Sequence, residues 1–340
     1  LPGADGEAVL IDPIVGEHMS LGPLYDLFAH KTTVKVFHAA RQDLEIFFVE
    51  GGAFPDPLFD TQVAAMVCGY GEQVGYETLV KKIAKENIDK SSRFTDWSRR
   101  PLSDSQEAYA LADVTHLRDV YLSLAAQLEK NKRKQWVEEE LSVLTDPATY
   151  TVTPDAAWKR VKTRTTSGRF LALVKELARF REHYAQSNNV PRSRVMKDDA
   201  LLELASTRPL NHDDLGRSRL LLREARRGDI AEGILAAVKS GLEMRADDMP
   251  KPDLSHENLQ VNPALADLLR VLLKAKSDSL GVAPKLIANA SELDAIAAGE
   301  RDLSSLMGWR AEAFGDDAMR LCRGEIALSA KGHQVVVVTL

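Results

Sequence analysis

Residues 34–47, VKVFHAARQDLEIF, decide the fold class of this chain, because their pattern changes from strand to helix within a few positions. The residues up to Phe37 predict a strand, and apolar residues at helical spacing follow from Gln42. Asp43 stands at the junction, and such strand-to-helix junctions lie at the sheet edge where α/β proteins place their sites. Asp43 is therefore a candidate site residue, although capping of its own helix would also explain it.

The sequence around this stretch continues the alternation of strands and helices. Residues 7–11, EAVLI, predict a buried strand, and a long helix is expected from about Asp104 to Lys130 with Ser103 or Asp104 as its cap. Asp60 is a suitable N-cap for a further helix. Short helices are expected at residues 21–29, 61–69 and 77–86. This alternation indicates an α/β domain over residues 1–140.

Strand patterns disappear after about Trp136 and return only at the end of the chain. Two helical blocks are expected at residues 158–241 and 261–328, with linkers at residues 141–157 and 242–260. A constant offset of 92 residues aligns apolar positions of the two blocks, which indicates a degenerate repeat of one small helical domain. The tail, residues 329–340, contains QVVVVTL and predicts an edge strand, which could pair with the sheet of the first domain or with another chain.

Length and composition exclude several classes of protein. With 340 residues, two or three domains are expected. No apolar run reaches the roughly 18 residues that a membrane span needs, and the start does not resemble a signal peptide, so no membrane partner is expected. Cys68 and Cys322 lie far apart in apolar helical patterns. They predict buried thiols rather than a disulfide or a zinc site, and a cytoplasmic location.

Charge is distributed unevenly along the chain. The net charge of −6 by itself argues against a nucleic-acid partner, but residues 159–197 contain 11 Lys or Arg and only two acids, a net charge of +9. Such a basic segment is expected to bind a phosphate backbone. The leading candidates are Arg164, Arg169, Arg192 and Arg194. The alternative is a solvated basic face that only keeps the domain soluble.

A second candidate constellation lies on the expected long helix. Tyr109 and Asp113 are four residues apart, so both project from one helix face. An aspartate in an otherwise apolar stretch is expected to face something positive, such as a metal ion, although a half-exposed polar face would also explain it. The preceding loop, TDWSRRPL at residues 95–102, is interpreted as anchored by Trp97 rather than as a direct substrate contact.

Three separated segments together resemble the second and third exonuclease motifs of the ribonuclease D family: FHAARQDLEIF at 37–47, FDTQ at 59–62 and DWSRRPLSDSQEAYALADV at 96–114. The two helical blocks resemble paired HRDC domains, particularly LMGWRAEAFGDDAMRLCRGE at 306–325. The resemblance covers the whole chain. It implies an exonuclease domain with a ribonuclease H-like mixed sheet flanked by helices, N-terminally incomplete, followed by two all-α HRDC bundles.

The resemblance also implies a function, a site and cofactors. The family are 3′→5′ exoribonucleases that trim extra 3′ nucleotides from precursor tRNA and other structured RNA and release nucleoside 5′-monophosphates. Two divalent ions, Mg²⁺ or Mn²⁺, would be held by four carboxylates, of which Asp43 and Asp113 would be two, and Tyr109 would orient the attacking water. The substrate would be RNA with a single-stranded 3′ end, and no nucleotide cofactor is expected.

The resemblance places the family's first motif, an Asp-x-Glu on the first strand, a few tens of residues before EAVLID at 7–12, and the chain starts only six residues before Glu7. The 340 residues alone are therefore expected to be unable to hold both metals, and further sequence upstream is expected to supply that motif. Two alternatives remain open from the sequence. One is a DNA 3′→5′ exonuclease of the same fold, since a fold does not determine its substrate. The other is a catalytically incomplete RNA-binding protein.

Overall fold

The computed structural model describes residues 8–14, 19–89, 91–163, 165, 167–251 and 260–340. The chain divides into two compact units, and each unit has its own hydrophobic core. The first unit combines residues 1–149 with residues 259–340, and the second contains residues 150–258. The last helical block therefore shares a core with the N-terminal region rather than forming a separate body.

The N-terminal region contains two short strands and a series of helices. In chain order these are α1 (Gly22–Ala29), β1 (Lys35–Phe37), α2 (Arg41–Gly51), β2 (Leu58–Asp60), α3 (Thr61–Val67), α4 (Tyr76–Ile83), α5 (Asp104–Thr115), α6 (Leu117–Asn131), α7 (Lys134–Leu144) and α8 (Pro147–Tyr150). β1 and β2 are parallel, with Phe37 opposite Asp60. Their carboxyl ends meet at the edge where α2 and α3 begin, as the sequence predicts for an α/β site.

The prediction of a buried strand at residues 7–11 is wrong for the part that the structure describes. Residues 8–11 form no strand, and Val9, Leu10 and Ile11 are 60%, 42% and 50% exposed. An apolar segment becomes a strand only when a neighbouring strand satisfies its backbone groups. Among the described residues, β1 pairs only with β2, so nothing provides such a neighbour.

The single long helix expected from Asp104 to Lys130 is divided in two. α5 ends at Thr115 and α6 begins at Leu117, with His116 between them. The Thr115 hydroxyl donates to the carbonyl of Leu111 at 2.7 Å, a back-bond that commonly bends helices. The start was predicted correctly, because Ser103 caps α5 and forms a capping box with Gln106.

All secondary-structure elements in the described residues of the second unit are helical. Its elements are 3₁₀ turns at Pro154–Arg160, Glu224–Arg226 and Ala246–Asp248, and helices α9 (Gly168–Ser187), α10 (Arg192–Val195), α11 (Asp198–Thr207), α12 (His212–Gly216) and α13 (Gly228–Glu243). The core of this unit includes Leu173, Leu177 and Leu201, all with no exposed surface. The expected linker at residues 141–157 is partly helical, because it contains the end of α7, all of α8 and the start of the first 3₁₀ turn.

The last block contains helices followed by a hairpin. Its elements are α14 (Pro263–Leu280), α15 (Pro284–Ile287), α16 (Ala290–Ala297), a 3₁₀ turn (Ser304–Leu306), α17 (Gly308–Arg310), a π-helical turn (Ala311–Gly315), α18 (Asp316–Cys322), β3 (Ile326–Lys331) and β4 (Gln334–Thr339). The offset of 92 residues places α10 directly on α15 and the start of α11 on that of α16. None of the helices formed by described residues is long and apolar enough to cross a bilayer.

The C-terminal strand has a different partner from the two that the sequence suggested. β4 pairs antiparallel with β3, from Lys331 opposite Gln334 to Ile326 opposite Thr339. Gly332, with φ of +63°, makes the two-residue turn possible, since a hairpin of this length needs positive φ. The hairpin begins at Ile326, inside the block that the sequence placed at residues 261–328.

The two cysteines are free, and both are half-buried where the sequence predicted buried thiols. Burial raises the pKa of the Cys68 thiol to about 11, and it raises the pKa of Cys322 above its ordinary value. Both thiols are therefore protonated and poorly nucleophilic at neutral pH.

Candidate active site

The turn between β1 and α2 is held by Asp60, the last residue of β2. One carboxylate oxygen of Asp60 accepts from the backbone N–H of Ala40 at 2.8 Å, and the other accepts from Ala39 at 3.1 Å. The second oxygen also accepts from Gln62 at 2.7 Å, which caps α3. Asp60 is 1% exposed, so these bonds compensate for burying its charge. The predicted cap therefore also positions the turn that precedes Asp43 on α2.

Asp43 and Asp113 line one cavity of about 570 Å³, although they come from different helices. Asp43 lies in the first turn of α2, and Asp113 lies near the end of α5. The cavity walls also include His38, Tyr76 and Lys35, whose ammonium group donates to two backbone carbonyls. Apolar residues from α1, β1, α5, α6 and residues 9–11 complete the walls. The structure thus brings together the two carboxylates that the sequence singled out.

The cavity changes the acidity of both carboxylates in the same direction. Partial withdrawal from water raises the pKa of Asp43, and repulsion from Asp60 adds to this effect. Desolvation also raises the pKa of Asp113. A carboxylate with a raised pKa lacks a compensating positive charge, so a cation between the two side chains would favour their ionised forms.

Tyr109, the third predicted site residue, is not among the described residues that line this cavity. Its ring packs at an angle against Trp97, with centroids 5.8 Å apart. The phenol that does line the cavity belongs to Tyr76, whose hydroxyl donates to the carbonyl of Ala112 at 3.3 Å. Burial raises the pKa of Tyr76, and the nearby Asp113 raises it further. Sequence reasoning missed Tyr76, because it lies on α4 and outside the three motif segments.

The loop at residues 95–102 is anchored as the sequence suggested. Trp97 packs on Tyr109, and the guanidinium of Arg100 forms a bidentate pair with Asp12 at 2.5 and 2.7 Å. Arg100 also donates to the carbonyl of Trp97 at 2.7 Å. These contacts fasten residues 8–14 to the loop that precedes α5.

Carboxylate oxygens are the ligands that Mg²⁺ and Mn²⁺ prefer. Within the described ranges, no group of three or more His, Cys, Asp or Glu side chains is gathered as a metal site. Two carboxylates nevertheless suit Mg²⁺, which proteins commonly bind through one or two carboxylates together with substrate phosphates and water. The donor set that faces the cavity therefore fits a hard divalent cation.

The predicted RNA-binding arginines have different environments. The guanidinium of Arg169 donates to the carbonyls of Gly241, Leu242 and Met244, at the end of α13. Its donors thus satisfy backbone groups that a helix end leaves unpaired. Arg164 lies outside the described residues.

The two arginines of α10 also differ from each other. Arg192 pairs with Glu182 at 2.7 Å, and that glutamate side chain is only 4% exposed. Arg194 is exposed and has no ion pair in the part of the chain that the structure describes. Of the described candidates, Arg194 alone is therefore both exposed and without an ion pair.

Two family models match the chain. One, described as 3′-5′ exonuclease, matches residues 3–129, and the other, described as HRDC domain, matches residues 170–238. The first match includes α2 and α5, which carry Asp43 and Asp113. The second match lies within the second compact unit. The expected order, an exonuclease domain followed by a helical HRDC domain, is confirmed.

Curated relatives agree with these models. The chain is 62% identical over 339 residues to a ribonuclease D of Jannaschia sp. (strain CCS1), covering 99% of this chain and 88% of that protein. It is 47% identical to a ribonuclease D of Granulibacter bethesdensis, covering 100% of this chain and 86% of that protein. Among solved structures, Escherichia coli RNase D, an exoribonuclease involved in structured RNA processing, superposes with a TM-score of 0.77 at 25% identity. That match covers 90% of this chain and 83% of the other.

Proposed function

Because the chain belongs to the ribonuclease D family of 3′–5′ exoribonucleases, we propose that Asp43 and Asp113 form the centre at which it hydrolyses RNA. The observation that carries this proposal is the shared cavity, which α2 and α5 approach from different parts of the chain. Two carboxylates in one cavity with no basic side chain paired to either, among the described residues, are an arrangement suited to a divalent cation.

The exonuclease family depends on divalent metals, and we propose that Asp43 and Asp113 provide ligands for Mg²⁺ or Mn²⁺, with two ions in the working site. The bound metal supplies activation of the attacking water and stabilisation of the leaving 3′ oxygen. Asp60 keeps the turn before Asp43 in place through its bonds to Ala39 and Ala40. Tyr109 is proposed to orient the attacking water, since it projects from α5 one turn before Asp113.

The proposed substrate is RNA with a single-stranded 3′ end, such as a precursor tRNA, and the proposed products are nucleoside 5′-monophosphates. The support is the similarity to the Escherichia coli enzyme, which is an exoribonuclease involved in structured RNA processing. We also propose a division into an exonuclease domain at residues 1–140, a first HRDC domain at 158–241 and a second at 261–328. The second HRDC domain is supported by the offset of 92 residues, which aligns helices of the two HRDC domains.

The test is a gel assay of 5′-labelled, 3′-extended RNA with Mg²⁺ or Mn²⁺, using the full-length product of the gene. The parent protein should produce a one-nucleotide ladder. Asp113→Asn should lower turnover by about 100-fold or more, since removing a metal ligand removes transition-state stabilisation. Asp104→Asn is the matched control, because it makes the same change on the same helix away from the cavity.

The controls decide between a catalytic and a structural effect. Circular dichroism of Asp113→Asn should show an unchanged fold, and Asp104→Asn should keep turnover within about twofold. Tyr109→Phe should slow hydrolysis without weakening RNA binding. Parent-level turnover in Asp113→Asn would remove this residue from the site, and a parent protein that binds RNA but yields no ladder would favour the RNA-binding alternative.

A further inference from the structure

Residues 217–227, RSRLLLREARR, form a second basic feature, which we call the arginine loop. It contains five arginines and a single acid within eleven residues. It connects α12 to α13 and includes the 3₁₀ turn Glu224–Arg226. It lies outside residues 159–197, the basic segment that the sequence pattern pointed to.

The carboxylate of Glu203, on α11, holds the first half of the arginine loop. It accepts from the Ser218 hydroxyl at 2.5 Å and from the backbone N–H groups of Arg219 and Leu220 at 2.9 and 3.0 Å. Burial alone raises the pKa of Glu203, but these bonds lower it below its ordinary value. Glu203 is therefore ionised at neutral pH and acts as a fixed anchor for the loop backbone.

Arg226 holds the second half by turning inward. Its guanidinium donates twice to the carbonyl of Leu221, at 2.9 and 3.2 Å, and once to the carbonyl of Gly216 at 3.3 Å. Leu221 and Ala225 are buried in the core of the unit. The loop thus has a defined shape that does not depend on a ligand.

The other four arginines of the loop are exposed: Arg217, Arg219, Arg223 and Arg227. Arg217 contacts Asp214 at 3.3 Å, a weak surface pair. Arg223 and Arg227 make no ion pair or hydrogen bond through their side chains within the described residues. This differs from Arg169 and Arg192, whose guanidinium groups already have partners inside the unit.

We propose that the arginine loop is a binding surface for the phosphodiester backbone of RNA, with Arg223 and Arg227 as its principal phosphate contacts. The inference rests on the proposed function, because the substrate class is taken from it. Guanidinium groups match phosphate geometry, and a backbone held by Glu203 and Arg226 loses little entropy when the ligand binds. The exposed side chains of Leu220 and Leu222 lie between the arginines and offer apolar contact rather than base-specific hydrogen bonds. The surface should therefore bind RNA without strong sequence preference.

The test measures binding of a fluorescent single-stranded RNA by anisotropy, in EDTA to prevent hydrolysis, over a range of salt concentrations. The variant is Arg223→Ser with Arg227→Ser. The logarithm of the RNA association constant falls linearly with the logarithm of the salt concentration. Losing two phosphate contacts on a single strand should make this slope less steep by about 1.4. Binding at moderate salt should weaken by about 10-fold or more, and sequence-scrambled RNA should be affected equally.

The matched control is Lys239→Ser with Arg245→Ser, which removes the same charge from the same unit. Their side chains are 74% and 84% exposed, and they lie at and beyond the other end of α13. This control should leave the salt slope nearly unchanged. If both double variants shift the slope equally, the effect is one of net charge, and the proposed surface is wrong.

Hydrolysis of a trinucleotide distinguishes failure of the arginine-loop proposal from failure of the proposed nuclease function. A loop variant that hydrolyses the trinucleotide at the parent rate but binds long RNA weakly supports the loop as a backbone contact. Parent-level binding and salt slope in the loop variant would overturn the inference and leave the proposed nuclease intact. If the parent protein fails to hydrolyse any RNA, the proposed function fails, whatever the loop variant shows.

Discussion

At the scale of single residues, Asp60 connects two features that the sequence shows separately. Its position before α3 predicts a helix cap, and the structure confirms this through its bond to Gln62. The same carboxylate reaches back by about twenty positions to Ala39 and Ala40. Ala39 has a φ of +59°, an uncommon conformation for a residue other than glycine. Asp60 thus stabilises a turn that local propensity alone would not favour.

Asp60→Asn should separate these two tasks. An amide oxygen can replace the oxygen that accepts from Gln62, but its NH₂ group would face the N–H of Ala40 and leave a buried donor unsatisfied. The free energy of unfolding should fall by about 1–3 kcal/mol. Turnover should also fall, because the turn positions Asp43. Chemical denaturation and steady-state kinetics, at a temperature where the variant is folded, measure the two effects.

The control for this change is Asp56→Asn, four residues earlier. Asp56 pairs with Lys31 at the surface, and its side chain is 61% exposed. Its replacement should alter stability by less than about 0.5–1 kcal/mol and leave turnover unchanged. Equal stability and turnover in the two variants would show that the Ala40 bond does not position the site.

At the scale of elements, the salt bridge between Arg192 and Glu182 joins α10 to α9. Glu182 is almost fully buried and also accepts from Gln186 at 2.9 Å. Arg192→Ala should leave that buried carboxylate short of a partner and lower the free energy of unfolding by about 1–3 kcal/mol. Arg194→Ala, two residues away and exposed, should change it by less than about 0.5 kcal/mol. Thermal unfolding compares the stability of the two variants. Equal losses of stability would contradict a structural role for Arg192.

The packing of α14 against α18 should make stability depend on pH. Burial alone raises the pKa of Asp317, but Lys276 on α14 and Arg320 on α18 lower it below its ordinary value. A carboxylate with a depressed pKa stabilises the folded state above its unfolded pKa, about 3.9. This stability is lost as the pH falls through the lower, folded pKa.

Asp317→Asn should therefore be less stable than the parent at neutral pH, and the difference should shrink below about pH 4. Urea denaturation of both proteins at several pH values measures this difference in the free energy of unfolding. The control is Asp316→Asn, its exposed neighbour, which has no salt bridge within the described residues. A stability difference for Asp317→Asn that stays constant with pH would show that the carboxylate charge does not contribute.

At the scale of the whole molecule, the last helical block is joined to the N-terminal region through α7. The ring of Trp309 stacks on Trp136 at 4.4 Å, and its indole N–H donates to Glu140 at 2.8 Å. Arg310 pairs with the same glutamate at 2.8 Å. Trp309 is only 2% exposed, so this contact is part of the shared core. Residues far apart in sequence thus belong to one cooperative unit.

Gly308→Ala should weaken this junction. Gly308 has a φ of +51°, and a Cβ there would come within 2.2 Å of the Glu139 carboxylate, which accepts from the N–H of Trp309. Gly281→Ala is the matched control, because its φ is +63° but its Cβ would meet no atom of the described residues within 4 Å. Both variants lose about 1 kcal/mol to backbone strain, and Gly308→Ala should lose about 1 kcal/mol more with its hydrogen bond.

Two measurements test whether the contact between Trp309 and α7 is weakened. Denaturation gives the stability of each variant, and hydrogen exchange of α7 reports whether the contact has loosened. Faster exchange in Gly308→Ala than in Gly281→Ala is expected. Equal exchange and equal stability would show that Glu139 moves aside without cost.

The sequence by itself determined the features that depend on neighbouring residues. The strand-to-helix change at residues 34–47, the caps at Asp60 and Ser103 and the helical blocks follow from local periodicity and local hydrogen bonds. The motif segments also identified the family and the two carboxylates, because each motif is contiguous. Asp43 and Asp113 could be proposed as partners from this information, but their placement in one cavity could not.

The tertiary structure decided whatever depends on contacts between distant residues. Residues 8–11 have a strand-like sequence but, among the described residues, no strand to pair with. Arg169 and Arg192 belong to a basic segment, yet their guanidinium groups have partners inside the protein. The last block joins the N-terminal region because Glu140 faces Trp309, 169 positions away. Hydrophobic burial and charge pairing act through space, so a pattern along the chain does not reveal which partner each side chain finds.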